Sequence, residues 1–402
     1  MQEADIDDYV EKKRASAEGL TTEEYRAKLR EELREFRDAV EGIPVLAAEF
    51  LSYLDLGPLE GFLAGLYRRV PEYPAPAMLR TALLLDLLKM EHYADIERHL
   101  QTHPEQAVML GFPCEDGAVL TPRWKNVWHF DQRRVGEKWD RLFALLRDAL
   151  VSTGRKHGLR IGEKTMQDAT PIEALEHDKE ADYNGHYKLK GYKLDTTDDL
   201  EHAVPLAKLT TGINHDEAKN LVPELEELKG AGIIVEEHTV DCGYTDYKQL
   251  AWMGVNGIKA CYRMAENWGH NEKGELPYLE HQYQKHWEDP EFRPRAPTEY
   301  VLFFLFGKGH VEEVGAYFRN QVMSKYHEDP DGHMKEYHKR SRKEGNHGYW
   351  KEHLGIESRL RVKGRARVDR FLTRNLCAVL AVALTRLQHG VRTRLTSVAF
   401  LT

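Results

Sequence analysis

The sequence predicts an all-α domain over residues 1–160 followed by an α/β domain over 161–402, the latter a mixed sheet flanked by helices. Three observations predict this. Up to about residue 160 the apolar residues recur at helical spacing. From 164 to 262 short alternating or apolar runs take turns with helical ones. Glycines mark the changes between them. A chain of 402 residues is long enough for two or three domains, each with its own core.

Taken in order, residues 1–42 read as a charged helical arm. Thr21-Thr22-Glu23-Glu24 is a cap, and Leu29, Leu33, Phe36 and Val40 share one face. After Tyr73-Pro74-Ala75-Pro76 comes an apolar helix, Met78 to Met90, then a shorter one carrying Ile96 and Leu100. The pair fits either a helix-turn-helix or a plain antiparallel hairpin. Thr121-Pro122 supplies an N-cap and first-turn proline for a helix with Trp124 and Trp128 one turn apart. A long amphipathic helix follows, with Trp139, Phe143, Leu146 and Leu150 on one face and Gly158 near its end.

Strands are expected at Lys164 to Thr170, Tyr187 to Thr196 and Ala203 to Thr210. A helix spans about Asp216 to Lys229, ended by Gly230 and Gly232. Ile233 to Val240 is a strand running into Asp241-Cys242-Gly243-Tyr244. A short helix (Tyr247 to Met253) and a strand (Gly257 to Tyr262) follow. Residues 265–320 are irregular and aromatic, include Trp268, Trp287 and a strand over Tyr300 to Phe306, and read as an insertion.

Composition narrows the class. The chain is 41% apolar, ordinary for a globular protein. Its four cysteines, Cys114, Cys242, Cys261 and Cys377, form no CxxC pair, so neither a zinc ribbon nor a disulfide framework is expected, and a reducing cytoplasm suits them. Residues 1–18 are too acidic for a signal peptide. The most membrane-like stretch, Phe371 to Leu387, is interrupted by Arg374 and Arg386, so no membrane partner is expected.

Net charge is −9, yet its distribution is uneven. His333 to Arg374 holds thirteen Lys and Arg against five Asp and Glu, and Thr121 to Arg160 ten against four. Two basic segments in an acidic chain form either a phosphate-binding surface or two solvated helix faces.

Candidate chemistry begins with two carboxylates. Asp168 lies in Gln167-Asp168-Ala169-Thr170 and Asp241 in Val240-Asp241-Cys242-Gly243-Tyr244, each read at a strand end. Carboxylates at the ends of neighbouring strands can converge on a divalent cation, although an aspartate at a strand end is often just a turn residue. A third element adds weight. Tyr337, two residues, Arg340, three residues, Glu344, six residues and Lys351 form a Y-(2)-R-(3)-E-(6)-K pattern. On one continuous helix these positions fall on a single face, with a carboxylate for metal and two cations for phosphate. Gly345 and Gly348 weaken that helix.

With these motifs the chain resembles the IS4-type DDE transposases of bacteria and archaea. Asp168-Ala169-Thr170 is similar to the first-aspartate strand of that family, Asp241 to Asp246 to the second, and residues 71–112 to the helical N-terminal region of many insertion-sequence transposases. The order of strands and helices is one seen in RNase H-like nucleases. The resemblance implies an RNase H-like catalytic fold and the triad Asp168, Asp241 and Glu344 as both catalytic and metal-binding residues. Tyr337, Arg340 and Lys351 would bind DNA. Two Mg²⁺ ions, for which Mn²⁺ could substitute, would serve cleavage and strand transfer. The partners implied are double-stranded DNA (the inverted repeats and the target) and a second copy in a homodimer. The setting would be the nucleoid in a prokaryotic cytoplasm. Residues 1–160 would bind DNA and dimerise. Only 102 residues separate Asp241 from Glu344, so the insertion is modest.

Two rival readings remain. His327, His333, His338, His347 and His353 gather near Glu344, but no HExxH or paired His/Cys spacing accompanies them, which argues against a zinc hydrolase. A domesticated, catalytically inactive transposase acting as a DNA-binding protein is the other. Trp268 and Trp287 could stack on a flipped base, or pack in a core.

Overall fold

The computed structural model describes residues 46–115, 118–244, 246–263, 311–398 and 401. The arm expected over 1–42, Trp268, Trp287 and the strand expected over Tyr300 to Phe306 lie outside the described residues. The chain divides into two compact units, residues 1–159 with 349–402, and residues 160–348.

In the first unit, α1 (Ala47–Ser52), α2 (Glu60–Ala64), α3 (Ala75–Leu87), α4 (Tyr93–Thr102) and α5 (Pro104–Leu110) come in succession. Two short antiparallel strands follow, β1 (Cys114–Glu115) and β2 (Ala118–Val119), then α6 (Trp124–His129) and α7 (Trp139–Lys156). The Thr121-Pro122 start expected for α6 is not used, and Arg123 in extended conformation precedes it instead. Helix α3 is buried on nearly every side, which is why its apolar residues show no clean stripe.

The second unit is a mixed sheet with helices. Its strands are β3 (Lys164–Glu173), β4 (Asp182–Asn184), β5 (Leu189–Asp199), β6 (Pro205–Gly212), β7 (Glu237–Val240) and β8 (Lys259–Tyr262). Helix α8 (Ala218–Gly230) precedes β7, and α9 (Tyr247–Val255) precedes β8. The sheet runs β4-β5-β3-β7-β8, with β6 also on β5. β5 pairs antiparallel with β3, β4 and β6, whereas β3–β7 and β7–β8 are parallel. The first three long strands therefore form a meander, and the helical crossovers supply the parallel pairs. β7 is shorter than the run Ile233 to Val240 suggested, because the chain after Gly232 (φ 71) enters the sheet only at Glu237.

Three helices close the unit's sequence. These are α10 (Val311–Glu328), α11 (Pro330–His338) and the start of α12 (Ser341–His353). Part of the expected insertion, 311–320, is thus helix. α10 lies against α9 at very close range, where a Cβ on Gly315 would strike the Tyr247 backbone.

The chain then returns to the first unit with α13 (Arg365–Gln388), which packs on α7 and α3. By contacts, residues 349–402 fall in the same compact unit as residues 1–159. α13 includes the stretch of Phe371 to Leu387, and Arg374 within it is buried rather than interrupting a membrane span. Its guanidinium makes a bidentate pair with Asp86 (2.7 and 2.9 Å) and also pairs with Asp131. Arg359 adds a second cation to Asp86 at 3.1 Å. Buried charges need such partners, since a lone one would cost several kcal/mol. No helix among the described residues is long and apolar enough to cross a membrane.

Candidate active site

The register of the sheet sets the geometry. β3 and β7 pair in parallel as Lys164↔Glu237, Thr165↔His238 and Met166↔Thr239. Two more residues along each strand bring Asp168 level with Asp241, and because side chains alternate, both fall on the same face. Asp168 is therefore not at a strand end, as the sequence suggested. β3 continues to Glu173, paired with β5 only, and Asp168 sits just beyond the last β7 pairing. Asp241 directly follows β7, and its carbonyl accepts from Tyr244 N at 3.0 Å in a tight turn.

Arg340 joins the two. Its Nη2 lies 3.1 Å from Asp168 Oδ1 and 3.5 Å from Asp241 Oδ2. Behind it, Nη1 donates to Tyr337 Oη at 3.1 Å. Burial alone would lower the Arg340 pKa, but the Asp168 and Asp241 carboxylates and Tyr337 outweigh it and hold the guanidinium above the usual arginine range. The pair is asymmetric in access: the Asp241 side chain is 44% exposed and that of Asp168 16%.

What brings Arg340 here is the docking of α11. Glu336 receives Lys164 of β3 at 3.1 Å, and the His333 ring meets the Tyr262 carbonyl of β8 at 2.9 Å. The Lys164 and Lys339 ammonium groups hold the Glu336 carboxyl below its ordinary pKa despite some burial. The single helix expected from Tyr337 to Lys351 is broken. Tyr337 lies in α11, Arg340 in a two-residue turn, and Glu344 and Lys351 in α12. Across the break Lys339 N and Arg340 N donate to the Glu336 and Tyr337 carbonyls, and the Ser341 hydroxyl donates to the His338 carbonyl.

Position 344 lies on α12 between two anchors. Arg340 binds the aspartates, and His347 Nε2 lies 3.5 Å from Thr196 Oγ1. Thr196 is the β5 partner of Asp168. Thr196 shares the face of the sheet that carries Asp168, so His347 sets the first turns of α12 against that face. The Glu344 side chain lies outside the described residues, and the described His, Cys, Asp and Glu residues include no group of three able to hold a metal ion. Lys351 pairs with Glu357 at 2.7 Å. Tyr337 is buried and meets Arg340 rather than solvent.

Residues 163–381, more than half of the chain, match the family described as Transposase DDE domain. The chain belongs to that family. No curated protein and no solved structure gives a match.

A transposase of this family acts on DNA with divalent metal ions and is built on an RNase H-like fold, with which the mixed sheet agrees. The pair Asp168 and Asp241 suits such ions. Both are hard anionic oxygen donors, they face one cationic group already, and one of them is open to solvent. Sequence reasoning missed the polar layer on the other face of the sheet, around Asp195. A polar run such as Asp195 to Asp199 of β5 normally signals exposure, yet here all five residues are buried.

Proposed function

We propose that the protein is an IS4-type DDE transposase that cleaves and joins DNA at insertion-sequence ends by two-metal phosphoryl transfer. Asp168, Asp241 and Glu344 are the triad. The observation that carries this is the level register of Asp168 and Asp241 on adjacent parallel strands, with Arg340 against both.

The three carboxylates would hold two Mg²⁺ ions. When bound, these would help ionise the attacking oxygen and neutralise the leaving oxygen and the phosphate. In the first step water attacks phosphorus, the bond to the 3′ oxygen breaks, and a 3′-OH is freed. In the second that 3′ oxygen attacks a target phosphorus, the bond from that phosphorus to the target strand's 3′ oxygen breaks, and the target 3′-OH leaves with the proton. Arg340 neutralises the aspartates without the ions and is released to grip a DNA phosphate with them, as its planar donor set suits both partners. Tyr337 acts on DNA through Arg340, holding the guanidinium from behind. Lys351 would trade Glu357 for phosphate.

The helical unit would recognise the inverted repeats and support a homodimer, since two ends must be brought together. The reading of an inactive DNA-binding derivative has no observation in its favour. The deciding experiment is cleavage of the element's own ends with Mg²⁺. Activity in the parent chain, lost in Asp168→Asn, Asp241→Asn and Glu344→Gln, is the expected result. Activity retained in any of the three would remove that residue from the triad.

A further inference from the structure

The roles above leave unused a fully buried carboxylate close to the site. Asp195 of β5 pairs in register with Ala169, so it faces the side of the sheet away from Asp168. A carboxylate in the middle of a sheet is costly unless it is well hydrogen-bonded. Asp195 is. It accepts from Gln167 Nε2 at 3.3 Å, from Asn220 Nδ2 of α8 at 3.0 Å and from Tyr244 Oη at 3.1 Å.

Two of these donors are tied to the metal-facing aspartates. Gln167 is the residue before Asp168. Tyr244 ends the turn that starts at Asp241, and its backbone nitrogen already bonds the Asp241 carbonyl. Gln167 also continues the network to β7. Its Oε1 meets His238 Nε2 at 3.2 Å, and His238 Nδ1 meets Thr165 Oγ1 at 2.8 Å. Both hydrogen bonds are satisfied with the ring hydrogen on Nε2. One buried carboxyl group thus grips the chain beside the first aspartate and the end of the turn after the second.

We propose that Asp195 is a positioning residue of the active site, which through Gln167 and Tyr244 fixes Asp168 and Asp241 relative to each other and thereby sets how tightly they take a divalent cation. This rests on the assignment of those two aspartates as metal ligands. A purely structural Asp195 would affect stability and leave cation binding alone. Outer-shell partners of ligating carboxylates, by contrast, typically affect affinity by 10–100-fold.

The test uses the full chain without DNA. Manganese binding is followed from the electron paramagnetic resonance of free Mn²⁺, with thermal unfolding alongside. Tyr244→Phe, which removes one hydroxyl, is expected to weaken Mn²⁺ binding roughly tenfold while shifting the unfolding midpoint by only a few degrees. Asp195→Asn, close in shape, should weaken binding similarly. The double variant should bind no worse than Asp195→Asn alone, because the bond that Tyr244→Phe removes is one of those Asp195 accepts. Should Tyr244→Phe not fold, Asp195→Asn carries the same comparison. Parent-like Mn²⁺ affinity in both variants, with binding lost in Asp168→Asn, overturns the positioning role alone. Equal Mn²⁺ binding in the parent and in Asp168→Asn overturns the ligand assignment, and the positioning role with it.

Discussion

Arg340 and Asp168 form a 3.1 Å ion pair inside the face that also carries Asp241, so the site's own cation stands against the two carboxylates proposed to hold metal. The pairing makes metal entry an exchange of one positive group for others. Two neighbouring carboxylates without a neutralising cation repel each other and attract any cation more strongly.

Arg340→Ala should therefore tighten Mn²⁺ or Mg²⁺ binding to the DNA-free protein, by about 5- to 30-fold. The scale is that of removing one partly buried ion pair that competes with the metal, on the order of 1–2 kcal/mol. Calorimetric titration of the variant and the parent at equal ionic strength reads this directly. Unchanged affinity would mean that the pair is open in solution and does not compete.

The same residue should act oppositely on DNA. Arg340→Gln and Lys351→Gln are expected to weaken binding of element ends and to lower the slope of log affinity against log salt by about one each, because one phosphate is left without its cation. Glu344→Gln should leave end binding near the parent level and abolish cleavage. Gel shifts over a salt series, with a cleavage assay beside them, separate the two roles. If all three variants lose binding equally, the division of labour between cations and carboxylate is wrong.

Some of this was legible in the residues and some was not. Asp168 and Asp241 stood out because each sits in a short motif at a strand. Their level placement did not, because it depends on the β3–β7 register, which no local pattern encodes. The Tyr337 to Lys351 spacing suggested one helical face. The break at Lys339 and Arg340 was hidden because nothing in the residue pattern at 339–340 marks a helix end. It appears with tertiary interactions, Lys164 to Glu336 and Arg340 to the aspartates. Asp195 was hidden for another reason. A polar run in a strand normally signals exposure, and only the fold shows three donors converging on it.

Asp199 gives a pH signature. It is buried, accepts from Gly162 N at 2.8 Å and His202 N at 2.7 Å, and is nonetheless pushed up to about 6, because burial outweighs those bonds. A carboxyl whose folded pKa lies above its unfolded value holds its proton longer in the folded state. Its contribution is therefore most favourable below about pH 4 and is lost as pH rises towards 6, by on the order of 2–3 kcal/mol. The other carboxylates impose their own trend, so the measurement is a difference. Parent minus Asp199→Asn stability, from denaturant unfolding between pH 4 and 7, should fall with rising pH and level off above 6. A flat difference would place the Asp199 pKa at its ordinary value.

From residue 349 the chain returns to its first unit. α13 is buried along Leu372 to Thr385, and it supplies Arg374 to Asp86 and Asp131 while Arg359 adds to Asp86. A fragment ending at residue 160 would keep those two aspartates, buried at 0% and 1% exposure, and lack both cations. Each buried carboxylate left without its partner costs about 3–5 kcal/mol. Exposing the helices that α13 covers costs about 1.5–3 kcal/mol for each large aliphatic side chain uncovered. Together these exceed the 5–15 kcal/mol that typically stabilises a domain. Residues 1–160 alone should therefore give a poorly cooperative thermal transition by circular dichroism and rapid proteolysis. A single chain joining 1–159 to 349–402 by a flexible linker should melt cooperatively. That joined chain, rather than the shorter fragment, is the one to test by gel shift on the inverted repeats. A cooperative, protease-resistant 1–160 fragment would show that the N-terminal helices need neither α13 nor its arginines.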